Sequence, residues 1–335
     1  MRIWAGLVAI IAAAGAIYGW GIGFFYPCGP VDRIVRTSDC RIVTTFDASQ
    51  LQALLKLPNG NLLTVARQDG PDPTELQRLL ELDPENGAVL SETAITGLPP
   101  GASWMNAAVS PAGAQLAATM LDQQTAVIDR ASGKVTTQFP PYSVGLVGFD
   151  GEDRVLIDRG EISSEHPPDI AAQVFSARDG SALGQLTDGA AKLIYTGGVS
   201  QAFSPDGTLL AQHVETRGDS GVVALRLADA AFQSWSGQLL TAPLGAWRMQ
   251  LLPWIWFSPD GRYVAASFDG ASVWGKDTSA LLIWDVQSLD LIQRLPTRSG
   301  EIENLVWLDN DRVAMTRFDL GSRRGEILTL PVARR

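Results

Sequence analysis

The sequence predicts an all-β fold, four-stranded antiparallel sheets repeated around a ring, behind one N-terminal membrane-spanning helix. Three observations carry this reading. A turn motif recurs about every 50 residues, alternating strand-like runs flank each copy, and no comparably long helical period follows any of them. The 335 residues are 46% apolar and 19% charged, which allows a substantial core. Lys and Arg number 26 against 36 Asp and Glu, a net charge of −10. With Arg323-Arg324 and Arg334-Arg335 as the largest basic clusters, this balance argues against a nucleic-acid partner.

The first element is the run Ile3 to Tyr26, 24 positions without a charge. At about 1.5 Å per residue a helix of this length covers roughly 36 Å, enough for a hydrocarbon core of about 30 Å. Trp20, Phe24, Phe25 and Tyr26 gather at its far end, where aromatic rings favour the interface, and Pro27 stops the helix. Residues 1–27 therefore read as an uncleaved anchor. A cleaved signal peptide with its site at Ala14-Gly15-Ala16 is the alternative, but the apolar run continues past that site.

Residues 28–40 form a linker bounded by the only two cysteines, Cys28 and Cys40. A pair with no nearby His makes a poor zinc site. A disulfide closing this loop stabilises by about 3 kcal/mol where the compartment is oxidising. Two unrelated free thiols are the alternative. Arg2 favours an inside N-terminus, whereas Arg33, Arg36 and Arg41 on the other flank oppose it. The cysteines tip the reading toward a single-pass inner-membrane protein with residues 41–335 on the periplasmic side.

Within that body, Ala202-Phe203-Ser204-Pro205-Asp206-Gly207 reads against Trp256-Phe257-Ser258-Pro259-Asp260-Gly261. Ser, then Pro, then Gly three residues on suit a type I turn between two strands. Weaker copies lie at residues 57–63, 109–117, 148–156 and 307–314. Anchored at Gly60, Gly113, Glu152, Gly207, Gly261 and Asp311, the intervals are 53, 39, 55, 54 and 50 residues. That spacing is one four-stranded sheet with its connections, the unit of a β-propeller. Leu76 to Leu82 could be a helical turn or a strand, and it is read as a strand because the unit needs one.

Strand arithmetic explains the two ends of this body. The last unit supplies strands near 302–308, 312–318 and 326–331 and then stops one short. Arg41 to Phe46 is a strand-like run with no unit of its own. Pairing it into the last sheet closes the ring and hides an edge. Six blades result, or seven if a degenerate unit is hidden.

The stretch Trp256 to Leu295, with Trp284-Asp285 inside it, resembles a WD40 repeat. Its turn also resembles those of TolB-like bacterial propellers. The resemblance covers about residues 41–332 and implies protein–protein contacts. Two departures stand out. The Gly-His dipeptide of that family is absent, and Asp277 lies one residue out of register with its acid.

Other signals read as structure. Gly218-Asp219-Ser220-Gly221 repeats a protease tetrapeptide near His213, but no second His-containing motif accompanies it, and a polar hairpin turn explains it. His166, between Glu165 and Asp169, lies in a Pro-rich loop. Asp206, Asp260, Asp309 and Asp311 recur at the turns, which argues for turn geometry. Trp235 to Trp256 holds four Trp. In it Trp254 and Trp256 share a strand face and are expected in the core, while Trp247, Arg248 and Met249 fall in a connection and are expected to bind a partner.

The expected function is non-catalytic: a binding or scaffold protein of the bacterial envelope that docks protein partners, without cofactor or metal. The alternative is an enzyme or small-ligand receptor using the central channel, in the manner of lactonase-type and quinoprotein propellers.

Overall fold

A computed structural model describes residues 40–46, 50–67, 77–99, 102–121, 124–139, 147–158, 171–187, 197–199, 201–214, 222–229, 235–243, 247–249, 254–272, 277–298, 302, 304–319 and 324–332. These form 26 strands, all paired antiparallel within their sheets, with no helix among the described residues. The first strand, β1 (Arg41–Phe46), belongs to the last sheet. Sheet I is β2 (Gln50–Lys56), β3 (Leu62–Arg67), β4 (Arg78–Leu82) and β5 (Val89–Ala94), paired in that order. Sheet II is β6 (Trp104–Val109), β7 (Gln115–Met120), β8 (Thr125–Asp129) and β9 (Val135–Phe139). Sheet III is β10 (Val147–Phe149), β11 (Arg154–Asp158), β12 (Ala171–Ser176) and β13 (Ala182–Thr187).

Next in the chain comes β14 (Gly197–Val199), which pairs away from its neighbours. Sheet IV is β15 (Gln201–Phe203), β16 (Leu209–Val214), β17 (Val222–Asp229) and β18 (Trp235–Pro243). Sheet V contains β19 (Trp247–Met249), β20 (Trp254–Phe257), β21 (Tyr263–Ser272), β22 (Asp277–Asp285) and β23 (Leu291–Arg298), and it also takes β14. Sheet VI is β24 (Leu305–Trp307), β25 (Arg312–Asp319), β26 (Arg324–Pro331) and β1.

The arrangement is that of a β-propeller, because the sheets pack face to face in sequence order. Apolar clusters join sheet I to II, II to III, IV to V, V to VI and VI back to I. Each of these junctions is also crossed by a side-chain hydrogen bond. Trp104 Nε1 donates to Gln77 Oε1 (2.6 Å), and Thr137 Oγ1 to the Ala177 carbonyl (2.6 Å). Trp284 Nε1 donates to the Thr241 carbonyl (3.0 Å), Gln293 Nε2 to that of Pro331 (3.1 Å), and Lys56 to that of Leu308. Burying apolar faces on both sides of every sheet explains why the strands read as apolar runs: β8 and β7 bury all but one residue each.

β1 completes the sheet that β24 to β26 leave one strand short, pairing antiparallel with β26 from Arg41↔Thr329 to Phe46↔Gly325. It thereby covers the β26 edge. Arg78 to Leu82 is a strand, β4, as the four-strand unit requires.

A second turn family, between the third and fourth strands, locks neighbouring sheets. Gly87 and Gly133 each stand four residues after an aspartate, with φ of +72° and +67°. A Cβ on Gly133 would sit 2.0 Å from the Ala94 carbonyl oxygen of sheet I. One on Gly87 would meet the Val43 carbonyl oxygen of β1 at the same distance. β1 thus receives from sheet I the contact that sheet I receives from sheet II. In sheet V the equivalent position is Leu289, at φ +63°, packed against the core between sheets IV and V.

Two sequence expectations are corrected. Trp254 and Trp256 do share a face, but the core residues of β20 are Ile255 and Phe257. The alternation turns those two toward sheet IV and leaves both tryptophans half-buried on the other side, where Trp256 still packs against the core between sheets V and VI. Trp247 to Met249 are not a connection: they form β19, paired with Gly270 to Ser272 of β21.

No helix among the described residues is long and apolar enough to cross a membrane. The anchor expected at residues 3–26 and Cys28 lie outside the described residues.

Candidate binding sites

The turn aspartates come first, because their chemistry is accounted for locally. In the turn after β15, Asp206 Oδ1 accepts from Ser204 Oγ (2.6 Å), Thr208 N (3.0 Å) and Thr208 Oγ1 (2.8 Å). Ser204 Oγ in turn accepts from Leu209 N (2.9 Å), and Gly207 N donates to the Ser204 carbonyl (2.8 Å). The turn after β20 repeats this with Ser258, Asp260, Gly261 and Tyr263. Pro205 and Pro259 hold the second position of these turns. Asp309 is bonded to Arg312 Nε (2.8 Å) and to Asp311 N (2.9 Å).

These bonds hold the carboxyls ionised. The Ser204 hydroxyl first, then the Thr208 N–H, keep Asp206 below the usual carboxylate range. The Ser132 hydroxyl and N–H do the same for Asp129, and the Ser181 N–H, followed by its hydroxyl, takes Asp179 to about 2. Because the folded values are depressed, the stability these groups supply is complete above the unfolded value of about 3.9 and is lost as pH falls through the folded values. Melting temperature is therefore expected to drop progressively between about pH 5 and pH 2. A flat profile across that window would show that the turns contribute nothing.

Trp284 and Asp285 also have structural work. Trp284 is fully buried between sheets IV and V and meets Phe268 edge-on at 6.4 Å. Asp285 accepts from Gln287 N and Ser288 N, both at 3.0 Å, and from Arg262 Nε at 3.2 Å. Burial pushes its carboxyl up, but these bonds outweigh it and leave the pKa lowered. Asp277 begins β22 opposite Ala271. His213 is buried in β16, its ring 6.4 Å from Phe268 in the same junction. Residues 218–221 and His166 lie outside the described residues. Among the described residues no group of three or more His, Cys, Asp or Glu is placed to hold a metal ion.

Two places remain that these interactions do not use up. One is a cavity of about 500 Å³ on the ring axis, lined from all six sheets. β2 contributes Gln52 and Lys56, β6 Met105 and Asn106, β10 Phe149, and β24 Trp307 with the adjacent Asn304. Pro205 and Pro259 come from the turns of sheets IV and V. Trp254 and Trp256 also line it, stacked with ring centres 6.2 Å apart and planes 14° from parallel. Sequence reading missed this pair as a site, although two tryptophans one residue apart on the strand that leads into a repeat turn were the available signal.

The other is the end of the ring opposite the turns. Strands β17, β18, β21, β22, β23, β25 and β26 are 8 to 10 residues long, whereas those of sheets I to III run from 3 to 7. About three extra residues raise sheets IV to VI by roughly 10 Å. Trp247, Arg248 and Met249 lie on this raised part, because β19 pairs with β21 beyond the end of β20. Cys40, just before β1, is not a free thiol.

No family model matches the chain, and no curated protein matches it. Among solved structures it is similar to the β-propeller domain of Cps50 (Swd1) from Myceliophteria thermophila, at 11% identity and a TM-score of 0.46, over 86% of this chain and 99% of that one.

Proposed function

We propose that the chain is a non-catalytic binding and scaffold protein of the bacterial envelope, a six-bladed propeller held to the inner membrane by residues 3–26 with its ring in the periplasm. Six sheets contributing to one axial cavity support the blade count. Cys28 and Cys40 are the only cysteines and Cys40 is not free, which supports the disulfide and with it the oxidising side of the membrane. The observation that carries the binding role is the raised edge of sheets IV to VI with Trp247, Arg248 and Met249 on it. Trp and Arg are favoured anchors at protein interfaces.

One measurement addresses these points together: native mass spectrometry of the tagged protein from membranes in mild detergent, with thiols alkylated before and after reduction. The expected result is the full anchored mass, alkylation only after reduction, and a stoichiometric protein partner. Trp247→Ala with Arg248→Ala is expected to lose that partner while the melting temperature holds within a few degrees. A lone monomer from wild-type membranes would overturn the scaffold reading, and alkylation without reductant would overturn the disulfide.

A further inference from the structure

The axial cavity has a chemistry of its own. We propose that it binds an uncharged mono- or disaccharide, independently of any partner at the raised edge. Its volume of about 500 Å³ lies in the range of small-molecule sites, about 300–1,000 Å³. Among its described lining residues there is no carboxylate and no histidine, and the one charged group, the Lys56 ammonium, donates to the Leu308 carbonyl. A cation therefore meets no counter-charge, and an anion meets a single ammonium that already shares its charge with a carbonyl, while the other N–H donors of that ammonium suit a neutral hydroxyl.

The remaining lining residues combine flat apolar surface with neutral hydrogen-bonding groups. Asn106, Trp254 and Asn304 stand at one level, each four residues ahead of the first residue of its turn, Ser110, Ser258 and Leu308. Asn106 Oδ1 accepts from Val147 N (3.2 Å), and Asn304 Nδ2 reaches the Leu51 carbonyl (3.5 Å). Asn106 Nδ2 and Asn304 Oδ1 make no bond to the described residues. One donor and one acceptor thus stand at the level of the Trp254 indole, and Trp256 stacks with that indole on the side of the turns.

A purely apolar ligand would strip water from both amides without replacing its bonds. A sugar ring satisfies both halves of the wall, its C–H face lying on the Trp254 indole while its hydroxyls donate and accept at the amides.

The test is saturation-transfer NMR on the full chain in mild detergent, with glucose, galactose, N-acetylglucosamine, maltose, cellobiose and trehalose offered singly. Sugar signals are read because ten tryptophans would obscure an emission change at two. Saturable transfer to at least one sugar is expected, weakened about tenfold or more in Trp254→Ala. Asn106→Ala, on a different sheet, serves as the second variant should Trp254→Ala not fold. The proposal is overturned by no transfer to any of the six. Unchanged binding in a folded variant, or transfer to choline or phenol with none to the sugars, also overturns it.

Discussion

Gly133→Ala is expected to destabilise the protein by about 3 kcal/mol or more, which in a chain of this size lowers the melting temperature by about 4 °C or more. Two costs combine. A side chain at φ +67° is strained by about 1–2 kcal/mol. In addition its Cβ would lie 2.0 Å from the Ala94 carbonyl oxygen and 2.9 Å from the carbonyl carbon, so backbone in the neighbouring sheet must move. That backbone is tied down, since Thr96 N donates to the Gly133 carbonyl (2.9 Å) and Val135 N to that of Thr96 (3.0 Å). Gly151→Ala isolates the first cost, because its φ is +75° with nothing within 4 Å of the added Cβ; about 1 kcal/mol is expected there. Gly87→Ala makes the same clash with Val43 and should, in hydrogen exchange, release β1 ahead of the other strands. Urea melts of the three variants decide the matter. Equal losses at Gly133 and Gly151 would mean that the sheet-to-sheet contact carries no stability.

Glu326→Ala should cost about 3–5 kcal/mol, the range for breaking a buried ion pair from one side. Arg317 donates from Nε to Glu326 Oε2 at 3.0 Å and also from its terminal nitrogen. The two residues lie directly opposite on β25 and β26, with side chains 3% and 10% exposed. Arg317 shares its strand face with Val313 and Met315, so the pair is enclosed in the junction with sheet V. Glu326 also lies opposite Thr45 of β1, which places it in the closing sheet. Loss of the carboxylate removes the acceptor that these two guanidinium bonds share, in a place where both side chains are almost closed to solvent. Arg317→Met with Glu326→Leu restores an apolar junction and should come back to within about 1 kcal/mol of wild type. Denaturant melts of Arg317→Met, Glu326→Leu and the double give the coupling directly. Two single losses that simply add up to the loss of the double would show that the pair is not a unit.

Much of the fold was legible because it is written over short spans. Ser204, Asp206 and Gly207 make their hydrogen bonds within six residues, so the Ser-Pro-Asp-Gly signal survives as sequence. Counting strands was enough to send Arg41–Phe46 to the last sheet. The second turn family was equally local, with Asp83 to Gly87 and Asp129 to Gly133 at one spacing. Its partners, Val43 and Ala94, lie on other sheets and gave no sign in the pattern.

The binding sites were less legible. Alternation tells which residues share a face, so it grouped Trp254 with Trp256, but it is silent on which face meets the next sheet. Ile255 and Phe257 took the buried side because sheet IV offers Ala202, Ala211 and Leu240 to pack on. Trp247 to Met249 read as a connection because β19 is three residues long and its partner lies beyond the end of β20. β14 left no signal at all, being Gly-Gly-Val opposite Trp254 to Trp256, more than fifty residues on.

The sequence by itself determined the all-β class, the turn chemistry, the unit length and the closing role of Arg41–Phe46, since each depends on contacts or counts within one unit. Tertiary structure alone decided which tryptophans face the axis, which asparagines stand level with them, and where the ring rises into a taller edge. Those depend on how separate sheets pack against one another, and a residue's orientation toward a neighbour some fifty positions away is set by that neighbour's shape rather than by any pattern in its own strand.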